Sequence, residues 1–576
     1  MTKKDGGNGF ERGRRILIVG GVAGGASAAA RLRRLDEAAR ITMFERGPHI
    51  SFANCGLPYY IGGTITDREE LLLQTPEAFS SRFNVDVRVR HEVVGIDRAA
   101  RHVQVLDHET GRRYTEPYDK LILSPGAEPI RPPLPGIDSP RIFTLRNVPD
   151  ADAIDAFIRE HGPSRAVVVG AGYIGLEMAE NLRDRGLLVA VVEMADQVLP
   201  VLDKEMAWYV QRHLAEKDVA LWLSDGVAAF EETASGLVVR LKSGMQVSCD
   251  MAILAIGVRS EVALARQAGL ALGTRGGIAV DEQLRTSDAD IYAIGDAIEV
   301  NDPVLGGPTL IPLAGPANKQ GRMVADILCG RSRRYTGSQG TGILKVFDLA
   351  VAMTGANEKR LAEKGIACEK LYIHPAHHVG YYPGAHIMHV KVLFAPDDGR
   401  VLGAQIVGRD GVDRRIDLLA TAIRAGMTVF DLQEWELAYA PPYGSGKDAI
   451  NMIGFVGANM LDGTMPFAHF EDVRDGDFVL DVRTAREFQR GAVPGAVNIY
   501  VDELRSRLDE LPRDRLIKVY CTVGVRSHIA CRILLQHGFD VRNLCGGYLT
   551  WSAEAHKDVV HDESHERLMK EFCTGR

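Results

Sequence analysis

Two glycine-rich turns, each between a short apolar run and a helical stretch, constrain this chain more than any other feature. Arg15-Ile16-Leu17-Ile18-Val19 runs into Gly20-Gly21-Val22-Ala23-Gly24-Gly25, Ala26 to Leu35 reads as a helix, and Ile41-Thr42-Met43-Phe44 ends at Glu45. The pattern recurs as Ala166-Val167-Val168-Val169, then Gly170-Ala171-Gly172-Tyr173-Ile174-Gly175, a helix beginning near Leu176-Glu177, and Leu188-Val189-Ala190-Val191-Val192 ending at Glu193. Such a unit lets backbone approach a pyrophosphate, sets a helix N-terminus against it, and supplies an acid about 20 residues later for a ribose hydroxyl. Two copies imply two dinucleotides on an α/β chain with two Rossmann-like domains. The first departs from the pattern, with Val22 at the middle glycine; the second is clean. Glu193 has no arginine after it, which favours the free 2′-hydroxyl of NADH and leaves NADPH open through residues the sequence does not place.

At 576 residues the chain exceeds one ordinary core, and roughly 150 residues per domain predicts three or four. A net charge of −8 argues against nucleic acid as the main partner. No apolar run approaches the roughly 18 residues of a membrane span, and the polar start, Met1 to Gly9, lacks a signal-peptide stretch, so a cytoplasmic protein is expected. The eight cysteines (55, 249, 329, 368, 521, 531, 545 and 573) include no Cys-x-x-Cys pair, so neither a zinc site nor a disulfide framework is indicated. Two of them stand in settings suited to reactive thiols. Cys55 lies in Ser51-Phe52-Ala53-Asn54-Cys55-Gly56, ahead of a loop-to-helix transition of the kind that lowers a thiol pKa. Cys521 opens Cys521-Thr522-Val523-Gly524-Val525-Arg526, a loop whose N–H groups point inward and whose Arg526 completes a cationic cradle for a thiolate or persulfide. A single thiol at Cys55 closes no internal disulfide, so its oxidised form is a mixed disulfide, a persulfide or a sulfenic acid.

Leu121-Ile122-Leu123-Ser124-Pro125-Gly126-Ala127 and Ile291-Tyr292-Ala293-Ile294-Gly295-Asp296 read as further strands ending in turns. Here the chain resembles the two-dinucleotide flavoprotein disulfide reductases, and that resemblance implies FAD at the first turn, with Gly20, Val22, Ala23, Gly24, Gly25, Glu45, Arg46, Ser124, Gly126 and Asp296 around it. By itself Asp296 reads equally as a turn residue or helix cap. The resemblance places NAD(P)H against Gly170, Gly172, Tyr173, Ile174, Gly175 and Glu193. Val390 to Val407 reads as a hairpin about Pro396-Asp397-Asp398-Gly399, with an apolar helix from Leu418 to Ala425; the same likeness makes this an α+β interface domain of a homodimer. Phe478 to Arg483, Gly491 to Ala496 and the Cys521 loop resemble a rhodanese domain, with Asp481 and Arg483 as buttress. The expected segments are 1–150 and 276–340 (FAD), 151–275 (NAD(P)H), 341–460 (dimerisation) and 466–560 (α/β rhodanese).

Ser51 to Tyr60 resembles the single-cysteine coenzyme A disulfide reductase family, over residues 15 to about 455. That likeness implies coenzyme A contacts at Ser27, Arg31, Arg34, Ser51, Asn54, Asn318 and Lys447, with one tyrosine from each of two strings, best matched by Tyr381 and Tyr439 with Tyr382 and Tyr443 as the alternatives, reaching across the dimer to the partner's cysteine. The plain alternative for Arg31, Arg33 and Arg34 is a solvated helix face. The implied activity is NADH-dependent reduction of coenzyme A disulfide, coenzyme A persulfide or polysulfide through Cys55, with Cys521 carrying sulfane sulfur. Two other readings stay open. One is an NADH oxidase or peroxidase cycling through a Cys55 sulfenic acid; the other is a sulfur carrier delivering persulfide to a partner protein.

Overall fold

The computed structural model describes residues 13–556 and 563–573; the polar start and residues 557–560 of the expected last segment lie outside them. The strand Arg15–Val19 sits in a five-stranded parallel sheet ordered Ile291–Ala293, Lys120–Leu123, Arg15–Val19, Arg40–Glu45 and Asp86–Val89. Its counterpart runs Val219–Trp222, Leu188–Val192, Arg165–Val169, Met251–Leu254 and Ile142–Phe143, again all parallel. Parallel strands covered on both faces have no solvent side, which is why the inner runs Ile16 to Val19, Ala166 to Val169 and Val189 to Val192 are buried and apolar without alternating; the edge strand Asp86–Val89 does alternate. Ile291–Ala293 adds to the first sheet after the whole second sheet has been made, so the first domain is assembled from two separated stretches.

An antiparallel sheet follows, ordered Gly342–Val346, Leu349–Gly355, Val401–Gly408, Met388–Phe394 and Glu369–Ile373. The expected hairpin is its centre, with Val390 opposite Ile406. The helix after it spans Val412–Ala425 and starts six residues before the expected Leu418. Val412, Ile416 and Leu419 already bury a stripe at helical spacing, with Asp413 and Asp417 exposed and Arg415 buried against Asp448 at 2.7 Å. The last sheet is wholly parallel: Phe467–Ala468, Val541–Leu544, Ile517–Tyr520, Phe478–Asp481 and Val497–Asn498.

Charge and histidine networks join these units. Lys391, fully buried in the antiparallel sheet, meets Asp203 at 2.8 Å and Glu205 at 2.5 Å from the second dinucleotide domain, and also Glu358. Lys370 bridges Glu358 at 3.1 Å and Glu471 of the last domain at 3.0 Å. His374 shares a 3.0 Å hydrogen bond with His389 and a 2.9 Å one with Thr550 of the last domain. Tyr209 stacks on His389 and donates to the Leu549 carbonyl at 3.1 Å. The helix Glu563–Phe572 returns to the second dinucleotide domain, where Phe572 buries against Trp222.

Burial holds His374 at about 3 and His389 at about 2, against an ordinary 6.5. Below about pH 6.5 the unfolded chain binds protons that the fold excludes, so stability falls with decreasing pH, by up to about 1.4 kcal/mol per pH unit for each histidine. Melting temperatures measured from about pH 7 to pH 5 should decline, and His389→Phe, which keeps the ring on Tyr209, should lessen the decline.

Candidate functional site

The first turn and the Cys55 loop enclose a cavity of about 420 Å³. Gly20, Val22, Ala23, Gly24, Glu45, Arg46, Ser124, Gly126, Asp296, Asn54 and Cys55 all line it. Close backbone approach explains the glycines: a Cβ on Gly25 would lie 1.8 Å from the Gly20 carbonyl oxygen, and one on Gly20 would lie 2.0 Å from that of Ser124. The helix Ala23–Leu35 therefore starts tight against the strand end, its first N–H groups aimed into the cavity. Glu45 accepts the N–H groups of Gly21 and Gly47 at 2.9 and 2.8 Å, so its carboxylate is fixed at the end of its strand.

The second turn repeats this construction. A Cβ on Gly175 would lie 2.0 Å from the Gly170 oxygen, and Glu193 accepts from Ala171 and Ala195 at 2.7 and 2.8 Å. Gly172 differs, since a Cβ there meets nothing within 4 Å. No protein neighbour requires that glycine; it keeps clear the space before the Tyr173–Asp184 helix where a pyrophosphate would lie. Both turns thus fit a dinucleotide by their own geometry. Tyr173 and Ile174 form the first turn of that helix.

Cys55 sits on a single 3-10 turn, Asn54–Gly56, and the helix Leu57–Gly62 begins two residues later. Ser51 holds a left-handed φ of 47° while its N–H donates to the Gly21 carbonyl at 2.9 Å, which seats the cysteine loop on the first turn. Asn54 donates to the Arg146 carbonyl at 2.9 Å, and the Arg146 guanidinium pairs with Asp296 at 3.2 Å. The expected lowering of the thiol pKa is not found. Cys55 is exposed at the cavity mouth, yet the surrounding walls and the carboxylates of Glu177 and Asp296 push it up, against Arg146. The adjacent helix is under two turns long, too short to offset two carboxylates. Glu177, on the helix after the second turn, is itself pushed up to about 7 by burial and by Glu180. Sequence reading missed Glu177 and Arg146; the acid two residues after Gly175 was the available signal for the first, and nothing local marks the second. Glu177→Gln is expected to shift the pH profile of Cys55 alkylation by iodoacetamide to lower pH in the cofactor-free protein.

Of the residues expected at coenzyme A, Ser51 and Asn54 lie in the Cys55 loop and the others elsewhere. Ser27 donates to Asn318 at 2.6 Å between the packed helices Ala23–Leu35 and Ala314–Leu328; on the same flank Arg31 pairs with Asp326 at 2.8 Å, and Arg34 is exposed. The alternative of a solvated arginine face fails at Arg33, which is buried and donates to the carbonyls of Asp36, Glu37, Ala39, Phe83 and Asn84. Tyr381, Tyr439 and Lys447 belong to the antiparallel unit and line none of the Cys55 cavity of their own chain. The hydroxyls of Tyr381 and Tyr439 meet at 3.0 Å, and these rings are 75% and 48% exposed. Lys447 lines a second cavity, of about 460 Å³, between the helix Ala449–Leu461 and Val523, Gly524 and Val525 of the Cys521 loop.

Cys521 is buried at the end of the Ile517–Tyr520 strand, and its Sγ accepts from the Gly524 N–H at 3.2 Å and faces the Ser527 hydroxyl at 3.5 Å. Gly524 takes a φ of +101°, turning the loop into the helix Val525–Gln536. Asp481 and Arg483, both buried, form a closed pair at 2.7 Å beneath it. Arg526 is held by Glu487 at 2.6 Å. Glu487 belongs to a capping box with Thr484 at the start of the helix Ala485–Gln489, and sequence reading missed its use as an anchor for Arg526.

Three family models cover the chain: pyridine nucleotide-disulphide oxidoreductase over 14–321, its dimerisation domain over 342–448, and a rhodanese-like domain over 469–554. The coenzyme A disulfide reductase of Staphylococcus haemolyticus is 37% identical over 443 residues, which are 77% of this chain and 99% of that protein. Among solved structures, the reduced CoADR-RHD of Bacillus anthracis is 50% identical with a TM-score of 0.92, covering 98% of this chain and 99% of the other. The NAD-dependent persulfide reductase of A. fulgidus is 37% identical with a TM-score of 0.88, covering 93% and 100%. A chain with two dinucleotide turns and a cysteine at the first thus matches this family's model over more than half its length and a rhodanese-like model near its C-terminus, and it belongs to the pyridine nucleotide-disulphide oxidoreductase family.

Proposed function

We propose that this protein is a cytoplasmic, homodimeric, NADH-preferring reductase of coenzyme A persulfide, coenzyme A disulfide or polysulfide, with a sulfur-transfer site at Cys521. One observation carries the reading: a solitary exposed thiol, Cys55, at the mouth of the first dinucleotide cavity, on a chain that also holds a second thiol in a backbone-lined loop. FAD and NADH, bound at the two turns, supply the electron pair. Cys55 as thiolate attacks the inner sulfur of a coenzyme A persulfide, forming a Cys55–coenzyme A mixed disulfide as hydrosulfide departs. Two electrons and a proton then return the Cys55 thiolate and coenzyme A thiol. Exposed Met194 follows Glu193, so the neighbouring position offers no cation for a 2′-phosphate, which supports NADH. None of the eight cysteines is disulfide-bonded, in keeping with a reducing compartment.

The exposed tyrosines support a partner-supplied acid. Tyr381 and Tyr439 form one hydrogen-bonded pair outside their own chain's Cys55 cavity, and Tyr382, Tyr443 and Ile387 of the same unit are exposed as well. Across a dimer that pair donates to the departing sulfur. Tyr381→Phe and Tyr439→Phe are each expected to lower kcat about 10²-fold, with little further loss in the double variant because the hydroxyls act as one unit. The testing experiment is steady-state NADH oxidation with each of the three sulfur substrates, in wild type, Cys55→Ser and Cys521→Ser. Retained peroxide turnover with no sulfur reduction would overturn the reading, and unchanged rates in Cys521→Ser would separate the two thiols.

A further inference from the structure

The Cys521 loop holds one guanidinium that is already neutralised. Arg526 Nη1 and Nη2 lie 2.8 and 2.6 Å from the two Glu487 oxygens, a bidentate pair. Thr522 Oγ1 accepts from Arg526 at 2.7 Å and donates to Glu487 at 2.8 Å. Glu487 also accepts the Thr484 N–H and hydroxyl at 3.1 and 2.8 Å, so its position is fixed independently of Arg526. These donors, Arg526 first, hold its carboxyl well below the usual range. The other charges nearby are mixed: Lys447 lines the cavity beside Val523, Gly524 and Val525, and Arg532 lies near His528. Asp502 adds a second carboxylate, hydrogen-bonded to Tyr500, close enough for Tyr500 to sense Arg526 and Glu487 as well. Arg483 is matched by Asp481, and burial together with Arg532 pushes His528 down, so it is neutral at pH 7. The rim is apolar, with Val525 57% and Ile529 46% exposed. The direct donors to the sulfur are uncharged: the Gly524 N–H and the Ser527 hydroxyl.

We propose that Glu487 sets the donor specificity of the Cys521 site, selecting sulfane sulfur on an organic persulfide and disfavouring the inorganic dianion thiosulfate. This rests on the reading of Cys521 as a sulfur-transfer residue. With a persulfide, the Cys521 thiolate attacks the outer sulfur of R–S–S–H. The Sγ–S bond forms, the donor S–S bond breaks, and the donor leaves as R–SH, keeping the proton. The sulfane sulfur passes without an external oxidant or reductant, and the site carries one negative charge before and after. With thiosulfate the same displacement expels sulfite, and three negative charges must share a loop whose own arginine is already paired with a carboxylate. Like charges at that separation are disfavoured, and an apolar rim gives an organic R group contact that thiosulfate cannot use.

The test is the rate at which the full-length protein gains one sulfur atom on Cys521, read by mass spectrometry of that peptide, with cysteine persulfide and with thiosulfate over a range of salt concentrations. Glu487→Gln is expected to raise the thiosulfate rate about tenfold and to change the cysteine persulfide rate less than about threefold; Glu487→Asp should keep the wild-type preference. In wild type, added salt should speed the thiosulfate reaction and leave the persulfide reaction nearly unchanged. The salt series needs no substitution, so it decides the matter even where Glu487→Gln loosens the loop. Equal changes for both donors in Glu487→Gln, or a wild-type thiosulfate rate indifferent to salt, would overturn the inference alone. No sulfur on Cys521 from either donor would overturn the sulfur-transfer reading, and the inference with it.

Discussion

Cys55→Ser is expected to lower NADH-dependent reduction of coenzyme A persulfide at least roughly 10⁴-fold, equivalent to about 5.5 kcal/mol of transition-state stabilisation. The size of the loss follows from the isolation of this thiol. None of the other seven cysteines lines its cavity, and no second cysteine in its loop can take over. A serine hydroxyl neither forms the mixed disulfide nor accepts electrons. Replacement of one Sγ by an oxygen on an exposed turn leaves the surrounding hydrogen bonds of Ser51 and Asn54 intact, so FAD content and NADH-driven reduction of an artificial dye should be preserved. Those two measurements distinguish a lost nucleophile from a lost fold.

Lys391→Met is expected to destabilise the chain by about 3–5 kcal/mol, read as a lower urea midpoint and melting temperature. Lys391 is wholly buried, and removing it strands Asp203 and Glu205, with Glu358 left to Lys370. Burial and the neighbouring Glu205 push Asp203 up, whereas Lys391 holds Glu205 and Glu358 down against their burial. Lys391 itself is raised above its ordinary 10.5 by these carboxylates, against its burial. Its contribution is therefore complete below about pH 10.5 and lost as pH rises further; the share from Glu205 and Glu358 is present above their ordinary 4.5 and lost as pH falls below it. The difference between wild type and variant should hold between these limits and shrink outside them. Adding Glu205→Gln should recover part of the loss, because fewer buried charges then lack a partner. Three carboxylates converging in this way could hold a metal ion, but Lys391 stands at their centre.

Much of the dinucleotide architecture was legible because its signals are local. A glycine turn, the helix after it and the acid ending the next strand lie within one short stretch, and two of the glycines answer a measurable close approach, Gly25 to Gly20 and Gly175 to Gly170. The same holds for Cys521, where the loop and its arginine are five positions apart. The Cys55 environment was less readable. Its neighbours Arg146, Glu177 and Asp296 come from three distant segments, and the balance of their charges, with burial added, reverses the pKa direction that the loop-to-helix context predicted. Arg33 was misjudged for a similar reason: its helix looks polar on that side, but Phe83 and Asn84 bring carbonyls across to it.

The sequence by itself determined the two dinucleotide turns, the identity of the two thiols and the order of the units along the chain, because turns, strand runs and nucleophiles are properties of contiguous residues. Only the tertiary structure decided which charges surround each thiol. It placed Glu177 against Cys55, matched Arg526 with Glu487, and joined Tyr381 to Tyr439 across 58 positions of chain. Electrostatic interaction depends on distance through the folded molecule and on burial, and neither is a function of separation along the sequence.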